Sequence, residues 1–159
     1  MSDELSSFGI ASYISRDILI IPFQADFYIE VLNALRNKVL TTLHENPNLK
    51  GMIVDVSQIN IIDLNNMEAL EKLCKMAKLL GVMPFLVGIK PNAALALIEL
   101  GYTDSGLRMA LDTEQAIFLI EEALVSEDQL DEDEENELSD GSESDEVISD
   151  EEKEPAQDD

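Results

Sequence analysis

Few side chains in this sequence can do covalent chemistry, and their spacing does not assemble them into a reactive group. His44 and Cys74 are the one histidine and the one cysteine in 159 residues. Nucleophilic catalysis needs a base within hydrogen-bond reach of a serine or thiol, and a third group to orient that base. His44 instead stands just before Asn46-Pro47, at the expected end of a helix, where the helix dipole favours a cation without any catalytic role. Cys74 falls in the apolar stripe Met67, Leu70, Ala77 and is expected to pack as a small hydrophobe. Asp55 and Asp63 flank a turn and form the carboxylate pair best placed for a metal or for acid–base work, but no histidine accompanies them. Phosphate cradles need several glycines at a strand-to-helix turn. The turn after Val56 reads Ser57-Gln58-Ile59-Asn60 and has none. A single cysteine also excludes an intramolecular disulfide framework and a multi-cysteine zinc site. No metal and no cofactor is expected, and an enzyme is the least favoured class.

The charge is extreme and unevenly placed. The formal net charge is -24, and residues 126–159 hold eighteen of the thirty-four acids with Lys153 as their single base, so that segment alone carries -17. Binding nucleic acid without sequence preference, or an anionic membrane surface, requires lysines and arginines to meet the phosphates, so neither partner is favoured. The acidic segment has no aromatic residue and few apolar ones. It cannot offset the entropy of ordering and is expected to be disordered over 125–159, with Ser139, Ser142, Ser144 and Ser149 as weak candidates for an acid-directed kinase. The N-terminus lacks a basic start followed by an apolar run, and no apolar stretch approaches the roughly 18 residues of a membrane span. A cytoplasmic location is the expectation.

The elements that must position any site follow from periodicity. Ile18-Leu19-Ile20-Ile21, between the turn signal Ser15-Arg16-Asp17 and Pro22, reads as a buried strand, and Phe8–Ile14 as its hairpin partner. From Asp26, a candidate cap, to about Glu45, the apolar residues Ile29, Leu32, Leu35, Val39 and Leu43 trace a helical face. Met52–Val56 is a second buried strand. A helix then runs to Leu80, closed by Gly81, with either Asp63 or the pair Asn65 and Glu68 at its start. Phe85–Ile89 is a third central strand. Pro91 opens a short helix that Gly101 ends, Arg108–Leu111 is an edge strand, and Asp112 or Thr113 caps a helix to about Leu124. Strands alternating with helices imply right-handed crossovers and a largely parallel sheet, made mixed by the hairpin. The fold class is α/β: a flexible stretch over 1–7, one domain over 8–124, and the tail.

Residues 50–112 carry a more specific string: Gly51-Met52-Ile53-Val54-Asp55-Val56-Ser57, then Ile61-Ile62-Asp63, Leu80-Gly81, Phe85-Leu86-Val87-Gly88-Ile89-Lys90-Pro91, Leu97-Ile98-Glu99-Leu100-Gly101 and Ala110-Leu111-Asp112. It resembles the STAS family of sulphate transporter and anti-sigma-factor antagonist domains, and within it the small stand-alone proteins of the bacterial stressosome. The resemblance spans roughly residues 8–124. It implies a mixed sheet with helices largely on one face, no catalysis, and signalling by reversible association with related STAS proteins or serine/threonine kinases, as a homo- or hetero-oligomer. In that family a serine or threonine directly after the motif aspartate usually takes phosphate from a partner kinase. Here that position is Leu64, so the usual switch is missing. Asp55-Val56-Ser57 matches the spacing of a second phosphorylated threonine in the larger stressosome members, which makes Ser57 a candidate phosphoacceptor, although a turn serine bonding its local backbone has the same appearance.

The resulting expectation is a scaffold or regulatory subunit whose contact surface includes Asp63, Leu64 and Asn65. The rivals are a direct antagonist that captures an anti-sigma kinase, and a domain that senses a small ligand at the carboxyl ends of its strands.

Overall fold

A computed structural model of the chain describes residues 10–24, 28–103 and 105–139, with side chains as far as 128. Its first event is a tight turn. Arg16 and Asp17 both take positive φ, 51° and 59°, which is the two-residue geometry that joins antiparallel strands without splaying them. That turn folds β1 (Tyr13–Ser15) onto β2 (Ile18–Pro22), with Tyr13 opposite Ile20 and Ser15 opposite Ile18. Three further strands, β3 (Gly51–Asp55), β4 (Met83–Val87) and β5 (Met109–Ala110), add in parallel, giving the order β1-β2-β3-β4-β5. The mixed α/β sheet is the one expected.

Each parallel crossover holds a helix: α1 (Ile29–Glu45) between β2 and β3, α2 (Leu64–Leu79) between β3 and β4, and α3 (Pro91–Glu99) between β4 and β5. The last helix, α4 (Thr113–Ser139), follows β5. Because side chains alternate along a strand, the register sorts the sheet into two faces. Leu19, Ile21, Met52, Val54 and Leu86 share one face, and they form a single buried cluster with Val31, Leu35 and Val39 of α1, Met67, Leu70 and Cys74 of α2, and Leu97 of α3. Truncating a leucine, isoleucine or methionine of this cluster to alanine is expected to cost about 2–5 kcal/mol.

The opposite face carries Ile18, Ile20, Ile53, Phe85 and Val87, and these are buried too. Their cover includes α4, from which Ala116 and Ile120 are fully buried. Gly51 marks how close that helix comes, since a Cβ there would lie 2.9 Å from Ile120 Cδ1. Among the described residues, then, three helices lie on one face and one on the other.

Several boundaries differ from the sequence reading, each for a physical reason. The turn uses only Arg16 and Asp17, so Ser15 belongs to β1 rather than to the turn, and the strand begins at Tyr13. The buried stripe of α1 runs through Val31, Leu35, Val39 and Leu43, while Ile29 is 64% exposed; the two apolar series differ only in their first members. Strand β4 ends at Val87, two residues early, because Gly88 takes a φ of +82° that no strand tolerates. Helix α4 does not stop near Leu124 but continues to Ser139. No glycine or proline interrupts the chain between Thr113 and Gly141, and Glu, Gln and Leu are good helix formers.

The chain divides into two units, Met1–Glu122 and Ala123–Asp159. The first contains the sheet, α1 to α3 and the opening turns of α4. The candidate cap Asp26, the partner strand residue Phe8, the stretch 1–7, and the tail beyond 139 with Ser142, Ser144 and Ser149 lie outside the described residues.

Candidate functional site: the rim at the start of α2

Parallel strands deliver their following loops to one end of the sheet, so the residues after β3, β4 and β5 converge there. Asp55 is the last residue of β3 and is half-buried. Its Oδ1 accepts the backbone N–H of Ser57 at 2.9 Å, and its Oδ2 faces the hydroxyl of Thr113, which opens α4, at 3.5 Å. Ser57 is therefore held in a local turn by the aspartate two residues before it. The Val56 N–H donates to the Val87 carbonyl at 2.9 Å, which draws the end of β4 against this turn. Gly88 makes the approach possible: a Cβ on it would lie 2.7 Å from Ser57 Cβ and 2.9 Å from Ser57 Cα.

From Ser57 the loop is pinned by two apolar anchors and presents a third. Ile59 and Ile62 are buried, whereas Ile61 between them is 82% exposed. Asn60 accepts a hydrogen bond from the Lys90 ammonium, which fastens the loop to the residue before α3. Asp63 then caps α2, its Oδ1 accepting the Asn66 N–H at 2.8 Å. Of the two starts open in the sequence, this is the one used. The cap satisfies one of the four orphan N–H groups of the helix and places a carboxylate at its positive end.

Leu64 is the first residue of α2. Its side chain is half-buried and packs on the core cluster, so it divides between core and rim. Asp63 and Asn65 are exposed. Asn65 also lines a groove of about 330 Å³ between α1 and α2, with Ile29, Leu32, Arg36 and Lys72 among its other walls. The Lys72–Glu68 ion pair beside it is 3.9 Å long and largely exposed, a geometry that contributes little.

The candidates for covalent chemistry are scattered. His44 is exposed in the last turn of α1, and α1 runs back from the rim to the opposite end of the sheet. Cys74 is buried in α2, and burial, reinforced by the nearby charge of Glu71, pushes its thiol up to about 12. Glu71 is itself only 8% exposed; it accepts the Tyr102 hydroxyl at 2.7 Å and lies 3.8 Å from the Lys75 ammonium. Asp55 and Asp63 are each engaged in a separate turn, and among the described residues no group of three or more His, Cys, Asp or Glu is arranged to hold a metal. No helix among the described residues is long and apolar enough to cross a membrane. The rim thus brings exposed Ile61, Asp63 and Asn65 together with half-buried Leu64.

The sequence reading marked Asp63, Leu64, Asn65 and Ser57, and all four lie on the loop after β3 or on the first residues of α2. It missed Thr113 and Lys90, whose partners are 58 and 30 residues away. It also missed the prominence of Ile61, for which a signal existed: Ile59 and Ile62 recur three residues apart, and Ile61 is out of phase with both.

Comparison with known proteins agrees with this architecture. Among solved structures, a variant of RsbS from Moorella thermoacetica has a TM-score of 0.62 at 21% identity, covering 72% of this chain and 97% of that one. A chain from a structure describing the molecular architecture of the stressosome, a signal integration and transduction hub, gives the same TM-score and identity over 72% of this chain and 98% of that one. The phosphorylated form of the Bacillus cell fate determinant SpoIIAA has a TM-score of 0.52 at 14% identity, covering 70% and 98%. At these identities the likeness concerns the fold. No curated protein matches the sequence. The profile of the STAS domain matches residues 10–116, two-thirds of the chain and all five strands, and the protein belongs to the STAS domain family.

Proposed function

We propose that this chain is a non-catalytic regulatory or scaffold protein of a bacterial stressosome-like signalling complex, cytoplasmic, working by reversible association with other STAS-domain proteins and with a serine/threonine kinase of the anti-sigma type. The observation that carries the reading is the rim at the start of α2, where exposed Ile61, Asp63 and Asn65 surround Leu64 at a position that has no hydroxyl. The fold shared with RsbS and SpoIIAA supports it. A hydroxyl at this helix start could accept a phosphate of about -1.5 to -2 charge, which would remake the surface at once. Leu64 leaves the contact unswitched at that position. Ser57 is the remaining candidate phosphoacceptor of the rim, and a phosphate there would stand beside the Asp55 carboxylate and open the turn that the two residues now form.

Light scattering of the purified chain mixed with STAS proteins and the anti-sigma-type kinase of the same cell tests this reading. Formation of a large assembly is expected; its absence removes the main support. Incubation with kinase and ATP should leave residue 64 of the wild type unmodified and place phosphate there only in Leu64→Ser. If the wild type alone releases a sigma factor by capturing the kinase, direct antagonism replaces the scaffold reading. A saturable, stoichiometric thermal shift with a small ligand would favour ligand sensing.

A further inference from the structure

We propose that the groove between α1 and α2 binds a small organic carboxylate, with its charged end at Arg36 and Lys72 and its apolar body directed towards the rim. The two helices line the groove with matched stripes. Ile29, Leu32 and Arg36 of α1, and Asn65, Glu68 and Lys72 of α2, follow the same spacing of three and then four residues, which sets each group on one helical face. Seven residues rise about 10 Å, so the groove is long for its volume of about 330 Å³. That volume stands at the lower end of small-molecule sites, about 300–1,000 Å³. The shape suits a short chain rather than a ring system.

The apolar part of the groove comes from a stripe that the core does not use. Val31, Leu35, Val39 and Leu43 seat α1 on the sheet, which leaves Ile29 64% exposed and Leu32 half-buried, both turned to the groove. Leu35 and Leu73 also line it and are buried. Apolar walls with a few polar groups gathered at one end are what an amphipathic small molecule requires.

Charge sets the class of ligand and its direction. Arg36, Lys72 and Glu68 give the groove a net of +1 in a chain of -24. The three ion pairs of the described residues do not include Arg36, and Lys72 is held by Glu68 only across an exposed 3.9 Å. A guanidinium donates two parallel hydrogen bonds to one carboxylate, a geometry that a neutral or cationic ligand cannot use. The rim end of the groove repels an anion, since Glu30 lies in the first turn of α1 and Asp63 caps α2. The carboxylate therefore lies two turns down, at Arg36 and Lys72, and the apolar body runs up to Ile29. Asn65 belongs to both groove and rim, so an occupied groove abuts the rim.

Hexanoate is the probe, read by amide NMR on the purified full chain, with no partner protein needed. Saturable shifts centred on Leu32, Ala69 and Lys72 are expected, with a Kd on the order of 1 mM, the range open to a ligand of about eight heavy atoms. Hexanol, hexylammonium and acetate, each lacking the charge, its sign or the apolar body, should bind at least about tenfold more weakly. Arg36→Gln should weaken hexanoate about tenfold and leave the response to hexanol unchanged. Ala69→Phe fills the groove and should abolish the shifts; if that variant loses its fold by circular dichroism, Arg36→Gln decides. The proposal is overturned by the lack of a saturable shift at about twenty times the expected Kd, by shifts centred elsewhere, or by hexanol or hexylammonium binding as tightly as hexanoate. Unchanged binding in Arg36→Gln overturns it too. So does a glutamate-rich peptide that displaces hexanoate at lower concentration, which would assign the groove to an acidic protein segment.

Discussion

Gly88→Ala, compared with Gly81→Ala, isolates the contact that shapes the rim. Both glycines have a φ of +82°, but a Cβ on Gly81 meets nothing within 4 Å, whereas one on Gly88 comes within 2.9 Å of the Ser57 backbone. Gly81→Ala therefore reports the left-handed conformation alone, about 1–2 kcal/mol. Gly88→Ala adds a steric conflict that side-chain rotation cannot relieve. The Ser57 backbone is fixed by its own bond to Asp55 and by the Val56–Val87 bond beside it, both 2.9 Å. Overpacking of this kind costs about 1–3 kcal/mol more, giving about 2–5 kcal/mol out of a total stability of about 5–15 kcal/mol. In urea, with a slope of about 2 kcal/mol per molar, Gly88→Ala should unfold about 0.5–1.5 M earlier than Gly81→Ala. Equal midpoints would falsify the close approach of β4 to the Asp55–Ser57 turn.

Other residues give independent checks. Asp63→Ala removes the cap of α2 and should lower stability by about 1 kcal/mol, with Asp63→Asn recovering most of it, as read by urea unfolding. Tyr102→Phe leaves the buried Glu71 carboxylate without its 2.7 Å donor, an expected loss of about 1–3 kcal/mol, and a double-mutant cycle with Glu71→Gln should be clearly non-additive; additive effects would refute the link. For Cys74, burial and then Glu71 raise the thiol from 9.0 to about 12. The folded state thus holds a proton that the unfolded chain releases above pH 9. The associated stability is complete below pH 9 and lost as pH rises towards 12, by about 1.4 kcal/mol per pH unit. Cys74→Ala should flatten that alkaline decline in the urea midpoint. Deleting residues 126–159 should remove only the helical circular dichroism of 126–139 and leave the urea midpoint of the domain nearly unchanged, since α4 contributes Ala116 and Ile120 to the core from its opening turns.

Where a local pattern decides the structure, the sequence was legible. Gly81 and Pro91 mark helix ends by their own backbone chemistry and act as read, and Asp63 is the one used of the two helix starts that the sequence left open. The stripe Met67, Leu70, Cys74, Ala77 is wholly buried. Legibility failed where two local patterns were nearly equivalent. In α1, Ile29 with Leu32 and Val31 alone begin competing stripes that share Leu35, Val39 and Leu43, and only the packing of the helix on the sheet separates them. In Met83–Ile89 an unbroken apolar run hides the left-handed Gly88. It failed altogether for long-range pairs: Thr113 with Asp55, Tyr102 with Glu71 and Arg16 with Glu121 leave no periodic trace. The rim was found through a family pattern around Asp63; the prominence of Ile61 was legible in its phase against Ile59 and Ile62, while the groove beside Asn65 required coordinates.

The division of helices between the two faces of the sheet also sets an order of events during synthesis. The face bearing Leu19, Met52 and Leu86 gains its cover as the chain emerges, helix after strand. The face bearing Ile18, Ile20, Ile53, Phe85 and Val87 waits for Ala116 and Ile120. At about 5–20 residues per second, the ribosome needs roughly 2–7 s to pass from Val87 to Ile120, and for that interval a row of β-branched and aromatic side chains stands open on the nascent sheet. The nascent chain is therefore most vulnerable to chaperone capture or aggregation just before α4 emerges, and the heavily charged segment that follows arrives only after that hazard has closed.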